Sequence, residues 1–139
     1  MRACCIIKPK ATGRRDEIVA ALKNEGVSII REKRITYTKA LVHALYDHMD
    51  QSARDAIAAR LCGMDGIALL LEVASIDRLL EVVGDDSDPR RCRPHTLRAR
   101  FASGASEERM GDAPWWENAV HRPINEREAL RDLSLLFPS

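Results

Sequence analysis

Ile67-Ala68-Leu69-Leu70-Leu71-Glu72-Val73 decides the fold: a continuous apolar run that reads as a central strand. A second short apolar run, Ala3 to Ile7, is stopped by Lys8-Pro9 and suits a buried strand that leads into a loop, with Lys8 at its mouth. Val27 to Tyr37 supplies a third strand, rich in β-branched residues (Val27, Ile29, Ile30, Ile35, Thr36), with the charged stretch Arg31 to Arg34 on a solvated edge or face.

The segments between these strands carry helical spacing. Arg15 to Glu25 places Ile18, Val19 and Leu22 on one face and stops at Gly26. Lys39 to Met49 and Ala53 to Cys62 form a helix pair, the second expected to be capped by Ser52 with Asp55 and ended by Gly63. Ile76 to Val83 is a helix closed by Gly84, and Asn125 with Glu128 caps a last helix through Ala129, Leu130 and Leu133. Asp85 to Trp116 lacks periodicity and reads as a long loop, followed by a short strand over Asn118 to His121. This order predicts an α/β (α+β) sandwich in which helices cover one antiparallel sheet, in the ferredoxin-like split βαβ pattern.

The chain has 139 residues of 45% apolar composition, enough for one compact domain over 1–139 and one core. With 22 basic and 21 acidic residues the formal net charge is +1, so no global field draws the chain to nucleic acid or to an anionic membrane. No signal-peptide h-region and no bilayer-spanning stretch are present, which makes the cytoplasm the expected compartment. Cys4, Cys5, Cys62 and Cys92 have no Cys-x-x-Cys spacing, and Cys4 and Cys5 would point to opposite faces of a strand. Free, mostly buried thiols are expected.

Two features carry possible chemistry. Between Pro89 and Ser106 stand Arg90, Arg91, Arg93, Arg98 and Arg100 with no acidic residue, either a phosphate clamp or simply a solvated basic loop. His121 closes the apolar pair Ala119-Val120 just before a loop and a capped helix, where a nucleophile would face a cleft.

Cys5-Ile6-Ile7-Lys8-Pro9, Tyr46, Ser87-Asp88-Pro89, Pro94-His95-Thr96-Leu97-Arg98, Asn118-Ala119-Val120-His121 and the closing Leu135-Leu136-Phe137-Pro138 follow one another in the order seen in nucleoside diphosphate kinases. The chain resembles that family over nearly its whole length. The resemblance implies a ferredoxin-like fold and a ping-pong cycle in which His121 takes the γ-phosphate of ATP and passes it to a nucleoside diphosphate. It implies that Lys8 and Arg98 hold the β- and γ-phosphates, that Mg²⁺ arrives with the nucleotide with no metal site of the protein's own, and that Tyr46, Ser87 and Asn118 contact phosphate, histidine and sugar. Asp132 stands where the family has a glutamate that orients the histidine. A homo-oligomer is implied too, of unspecified size.

The chain also departs from the family pattern. The aromatic residue expected eight positions after the tyrosine is Arg54, and the arginine expected six positions before Ser87 is Glu81, which would set a negative charge against phosphate. Arg122-Pro123-Ile124 follows the histidine in place of Gly-Ser-Asp, Lys10 replaces an acidic residue, and about ten extra residues fall within Ala102 to Trp116. Trp115 or Trp116 would then supply the missing base stack, an indole offering a larger apolar face. Two other readings remain: a nucleotide-binding or interaction domain that has kept the fold and lost turnover, and nucleic-acid binding through the arginine-rich loop, against which the near-zero net charge argues.

Overall fold

The computed structural model describes residues 1–102, 107–111 and 113–139. Strands β1 (Arg2–Ile7), β2 (Ser28–Thr36), β3 (Asp65–Glu72) and β6 (Val120–His121) form one antiparallel sheet in the order β2-β3-β1-β6. The helices are α1 (Arg15–Asn24), α2 (Lys39–Leu45), α3 (Gln51–Leu61), α4 (Ile76–Val83), α5 (Leu97–Arg100) and α6 (Glu126–Leu136). A separate hairpin joins β4 (Glu107–Met110) to β5 (Ala113–Trp116).

The two inner strands are apolar between their charged ends because both faces of the sheet are covered. Ala3, Cys5 and Ile7 join Leu69 and Leu71 in a core with Ile18, Leu22, Leu79 and Val83, while Cys4 and Ile6 join Ala68 and Leu70 in a second core with Val42, Leu45, Ile57 and Trp115. Each fully buried leucine or isoleucine contributes about 1.5–3 kcal/mol by removal from water. Cys4 and Cys5 therefore do face opposite cores, and all four cysteines are free, with Cys62 exposed. β2 is an edge strand in which the pairing with β3 shifts between Ile29 and Arg31, a bulge that leaves Ile30 40% exposed.

Three expectations are corrected here. The first helix of the pair ends at Leu45, not Met49, and Tyr46 becomes its C-terminal cap with φ −110° and ψ 35°. Asp50, not Ser52, caps α3, accepting from the Ala53 amide at 2.8 Å. The expected long loop after Asp85 contains a 3-10 turn at Pro89–Arg91, α5 and the hairpin. That hairpin occupies the described part of the lengthened segment, residues 102–116; positions 103–106 and 112 lie outside the described residues. By contrast α4 spans Ile76–Val83 as its spacing predicts, and Asn125 caps α6 by accepting from the Glu128 amide at 2.9 Å. Among the described residues no helix is long and apolar enough to cross a membrane.

Candidate active site

The site is assembled where β1 ends beside β6. Ile6 pairs with His121 and Ile7 with Val120, and the Lys8 amide extends the ladder to the Ala119 carbonyl at 2.9 Å. Two residues far apart in sequence, Lys8 and His121, are thereby brought to one end of the sheet. A cavity of about 440 Å³ opens there. Lys8, Tyr46, Ser87, Arg98, Trp115, Trp116, Asn118 and His121 all line it, so every residue to which the family resemblance gave a role, except Asp132, reaches the same space.

Asp132 lies behind the histidine. It is fully buried on α6, and its Oδ2 is 3.0 Å from His121 Nε2. Its other oxygen accepts from Arg131 Nε at 3.0 Å, so both ends of the carboxylate are fixed. With Nε2 donating to that carboxylate, the lone pair of the neutral imidazole sits on Nδ1, which no hydrogen bond of the described residues occupies. Burial drives the His121 pKa below the ordinary imidazole value, against the opposing pull of Asp132, so the ring is neutral at pH 7. The Tyr46 ring meets His121 edge-on at 6.4 Å. Tyr46 is itself buried, which pushes its hydroxyl up to about 12, while a hydrogen bond from Trp115 works in the opposite direction.

Arg98 is held from behind by carbonyl groups. Arg98 enters from α5 and donates Nε to the Val120 carbonyl at 3.1 Å and Nη1 to the Asp86 carbonyl at 2.9 Å. Arg98 and Lys8 are each 4% exposed. Burial first, and mutual repulsion second, lower Lys8 to about 7 and Arg98 to about 9. In Arg98 the repelling neighbour is Arg122; in Lys8 it is chiefly Arg98. An anion inside the cavity would raise both groups and favour the charged form of Lys8. Asn118 donates Nδ2 to the Ser87 carbonyl at 3.1 Å, leaving its buried Oδ1 without a partner in the site.

Several sequence expectations change in this setting. Of the five clustered arginines only Arg98 lines the cavity: Arg90 pairs with Asp88 at 2.9 Å, Arg93 lines a separate cavity beside α4, and Arg100 lies over the Phe101 ring at 5.3 Å. Arg91 lies beside Asp88 as well, at 4.0 Å. Glu81 is turned away from the phosphate-sized space, exposed and paired with Arg78 at 3.3 Å. Its charge therefore does not oppose an anion in the cavity. Trp115 is a core residue, 6% exposed, whose ring centre lies 5.2 Å from Lys8 Nζ and 5.5 Å from Arg60 Cζ. Trp116 is half-buried at the rim, with its buried Nε1 unpartnered.

Sequence reasoning missed Arg122, His48, Met49, Ile124 and Glu128, all of which line the cavity. The capping pattern Asn125 to Glu128 was the one available signal: the Glu128 carboxylate accepts from the Ile124 amide at 3.2 Å and so shapes the chain just after His121.

The site thus sets an oriented neutral imidazole in one cavity with buried cations. A family model described as nucleoside diphosphate kinase matches residues 1–139, and the chain belongs to that family. Thioredoxin domain-containing protein 6 of Homo sapiens is 30% identical across 99% of the chain, and the mouse protein of that name 29% across 96%. The chain spans about two fifths of the length of those two relatives (42% and 41%). A nucleoside diphosphate kinase of Saccharolobus islandicus is 22% identical, covering 98% of this chain and 94% of its own. Among solved structures, a transition-state mimic of the Borrelia burgdorferi nucleoside diphosphate kinase with bound vanadate and ADP superposes with a TM-score of 0.78 at 18% identity, covering 99% of this chain and 86% of that one. The Encephalitozoon cuniculi nucleoside diphosphate kinase superposes at 0.80 and 15% identity, covering 99% and 89%. At these identities the likeness to solved structures is one of fold.

Proposed function

We propose that this chain is a nucleoside diphosphate kinase that transfers the γ-phosphate of ATP to nucleoside diphosphates through phospho-His121, the whole of 1–139 acting as one catalytic domain. The observation that carries the reading is the pairing of His121 Nε2 with buried Asp132 at 3.0 Å in the cavity that also holds Lys8 and Arg98.

In this reading the Nδ1 lone pair attacks the γ-phosphorus. The N–P bond forms as the bond to the β-γ bridging oxygen breaks, and the diphosphate leaves with that electron pair. The ring keeps its Nε2 proton and becomes cationic, and the fully buried Asp132 carboxylate offsets that charge. Lys8 and Arg98 neutralise the phosphate oxygens. A second nucleoside diphosphate then reverses the step, its terminal β-oxygen attacking phosphorus and returning the lone pair to Nδ1.

Among the described residues no group of three or more His, Cys, Asp or Glu is placed to hold a metal ion, and the cavity's charged groups suit phosphate. In this reading Mg²⁺ would come with the nucleotide and would supply charge neutralisation along the phosphate chain. Asn118 Oδ1 and the Ser87 side chain are the polar contacts for sugar and phosphate. The base lies against Trp116, since the Trp115 ring is engaged by Lys8 and Arg60. Self-association into a homo-oligomer and a cytoplasmic location are parts of the same proposal.

The test is to incubate the protein with ATP, Mg²⁺ and GDP and to quantify GTP. GTP formed by the wild type and lost in Lys8→Ala and Arg98→Ala supports the reading; nucleotide binding with no transfer would instead define a binding domain that has lost turnover. Trp116→Ala is expected to weaken adenosine binding about tenfold, the scale of one base-aromatic stack, as read by calorimetry.

A further inference from the structure

Arg122, the residue after His121, is only 7% exposed, a degree of burial unusual for an arginine. Its Nε donates to the carbonyl of Gly84 at 2.9 Å, and its side chain lines the same cavity as Lys8, Arg98 and His121. No hydrogen bond or ion pair among the described residues occupies either of its Nη groups. A guanidinium anchored by one nitrogen, with its fork open to a cavity, is arranged for a bidentate anion.

Gly84 is the common support. It follows α4 with φ +137°, and a Cβ on it would come within 3.0 Å of Arg98 Cδ and 2.8 Å of Cys92 Sγ. The same glycine thus packs against the stem of Arg98 and holds the head of Arg122, fixing two guanidinium groups relative to each other. Glu128 and Asp85 act on Arg122 from a distance, against its burial, without a hydrogen bond or ion pair to it among the described residues. Glu128 is the one carboxylate in the cavity lining, and that group is already engaged by the Ile124 amide and lies 3.8 Å from Arg131.

We propose that Arg122 is a phosphate ligand, forming with Arg98 and Lys8 a three-cation subsite that selects nucleotides with two or more phosphates over monophosphates. The inference rests on the nucleotide-kinase reading above and adds to it the residue that counts phosphates. The lowering of Arg98, by burial first and by Arg122 second, is in keeping with a pair of cations that share one anionic ligand.

The test is calorimetric titration of the wild type, Arg122→Gln and Arg122→Lys with ADP, inorganic pyrophosphate, AMP and adenosine. Glutamine can still donate to the Gly84 carbonyl while removing the charge. Its expected effect is a loss of about tenfold or more in affinity for ADP and pyrophosphate, a smaller loss for AMP and none for adenosine, with lysine recovering most of the loss. In the wild type, which needs no variant to fold, the Arg122 Nε–H resonance should move on adding pyrophosphate and stay in place on adding adenosine. If wild type and Arg122→Gln bind pyrophosphate and ADP equally, or the resonance ignores pyrophosphate, the inference fails while the kinase reading stands. If the wild type binds no phosphate compound at all, both fall together.

Discussion

At the scale of single residues the account rests on how His121 is held. Asp132 fixes the tautomer from one side, and Arg131 fixes Asp132 through the second carboxylate oxygen. Asp132→Asn keeps the shape but lets the amide present its NH₂ to Nε2, which favours the tautomer with the lone pair on the wrong nitrogen. We expect about a 100-fold slower phosphorylation of His121, the scale of a misoriented reacting group, with nucleotide affinity nearly unchanged, as read by single-turnover kinetics. Lys8 gives a second prediction. Its pKa in the free protein is about 7, lowered first by burial and then by Arg98. A bound polyphosphate favours the charged form and raises it, so between pH 7 and the ordinary lysine range binding takes up a proton and affinity falls as pH rises. Titrations at pH 8 in buffers of different ionisation enthalpy should show uptake approaching one proton. His121, lowered by burial, keeps its nucleophilic form to a pH below that of a free imidazole, so the acid limb of the phosphorylation rate should lie below about 6.5.

At the scale of elements, the turn after α4 carries more of the site than its length suggests. Gly84 has φ +137°, and its neighbours leave no space for a Cβ. Gly84→Ala should cost about 1–3 kcal/mol from backbone strain alone, read as a lower urea midpoint, and should weaken ADP binding because Arg98 and the carbonyl under Arg122 both shift. Much of the element list was legible. The apolar runs of β1 and β3 and the periodic faces of α1, α4 and α6 are set by local burial, and local burial is what periodicity reports. The hairpin was not legible: its strands are four residues each, too short for alternation to stand out, and they are stabilised by a distant partner, with Gly111 at φ +64° packed against Ser52 and Ala53 of α3. The end of α2 was missed for a related reason. The apolar pattern runs on through Met49, but Tyr46 leaves the helix and its ring lines the cavity, as does Met49.

At the scale of the whole molecule, the sequence motifs name the residues and the sheet brings them together. The pairing of β1 with β6 joins Lys8 to Ala119 across more than a hundred residues, and no local pattern encodes that contact. The anchoring of Arg122 was hidden for the same reason, since its hydrogen-bond partner is a carbonyl 38 residues away. Glu81 is the converse case: set against phosphate by the family pattern, it stands outside the cavity, exposed and paired with Arg78. Membership of the nucleoside diphosphate kinase family covers all 139 residues, and the site geometry supplies the chemical reason to expect turnover. The most direct test is to incubate the purified protein with ATP and Mg²⁺, isolate it, and map phosphate by mass spectrometry under neutral conditions before and after adding GDP. The account predicts an acid-labile phosphate on His121 that is absent in His121→Ala and is discharged to GDP as GTP. A protein that binds ATP yet carries no phosphate on His121 would contradict it.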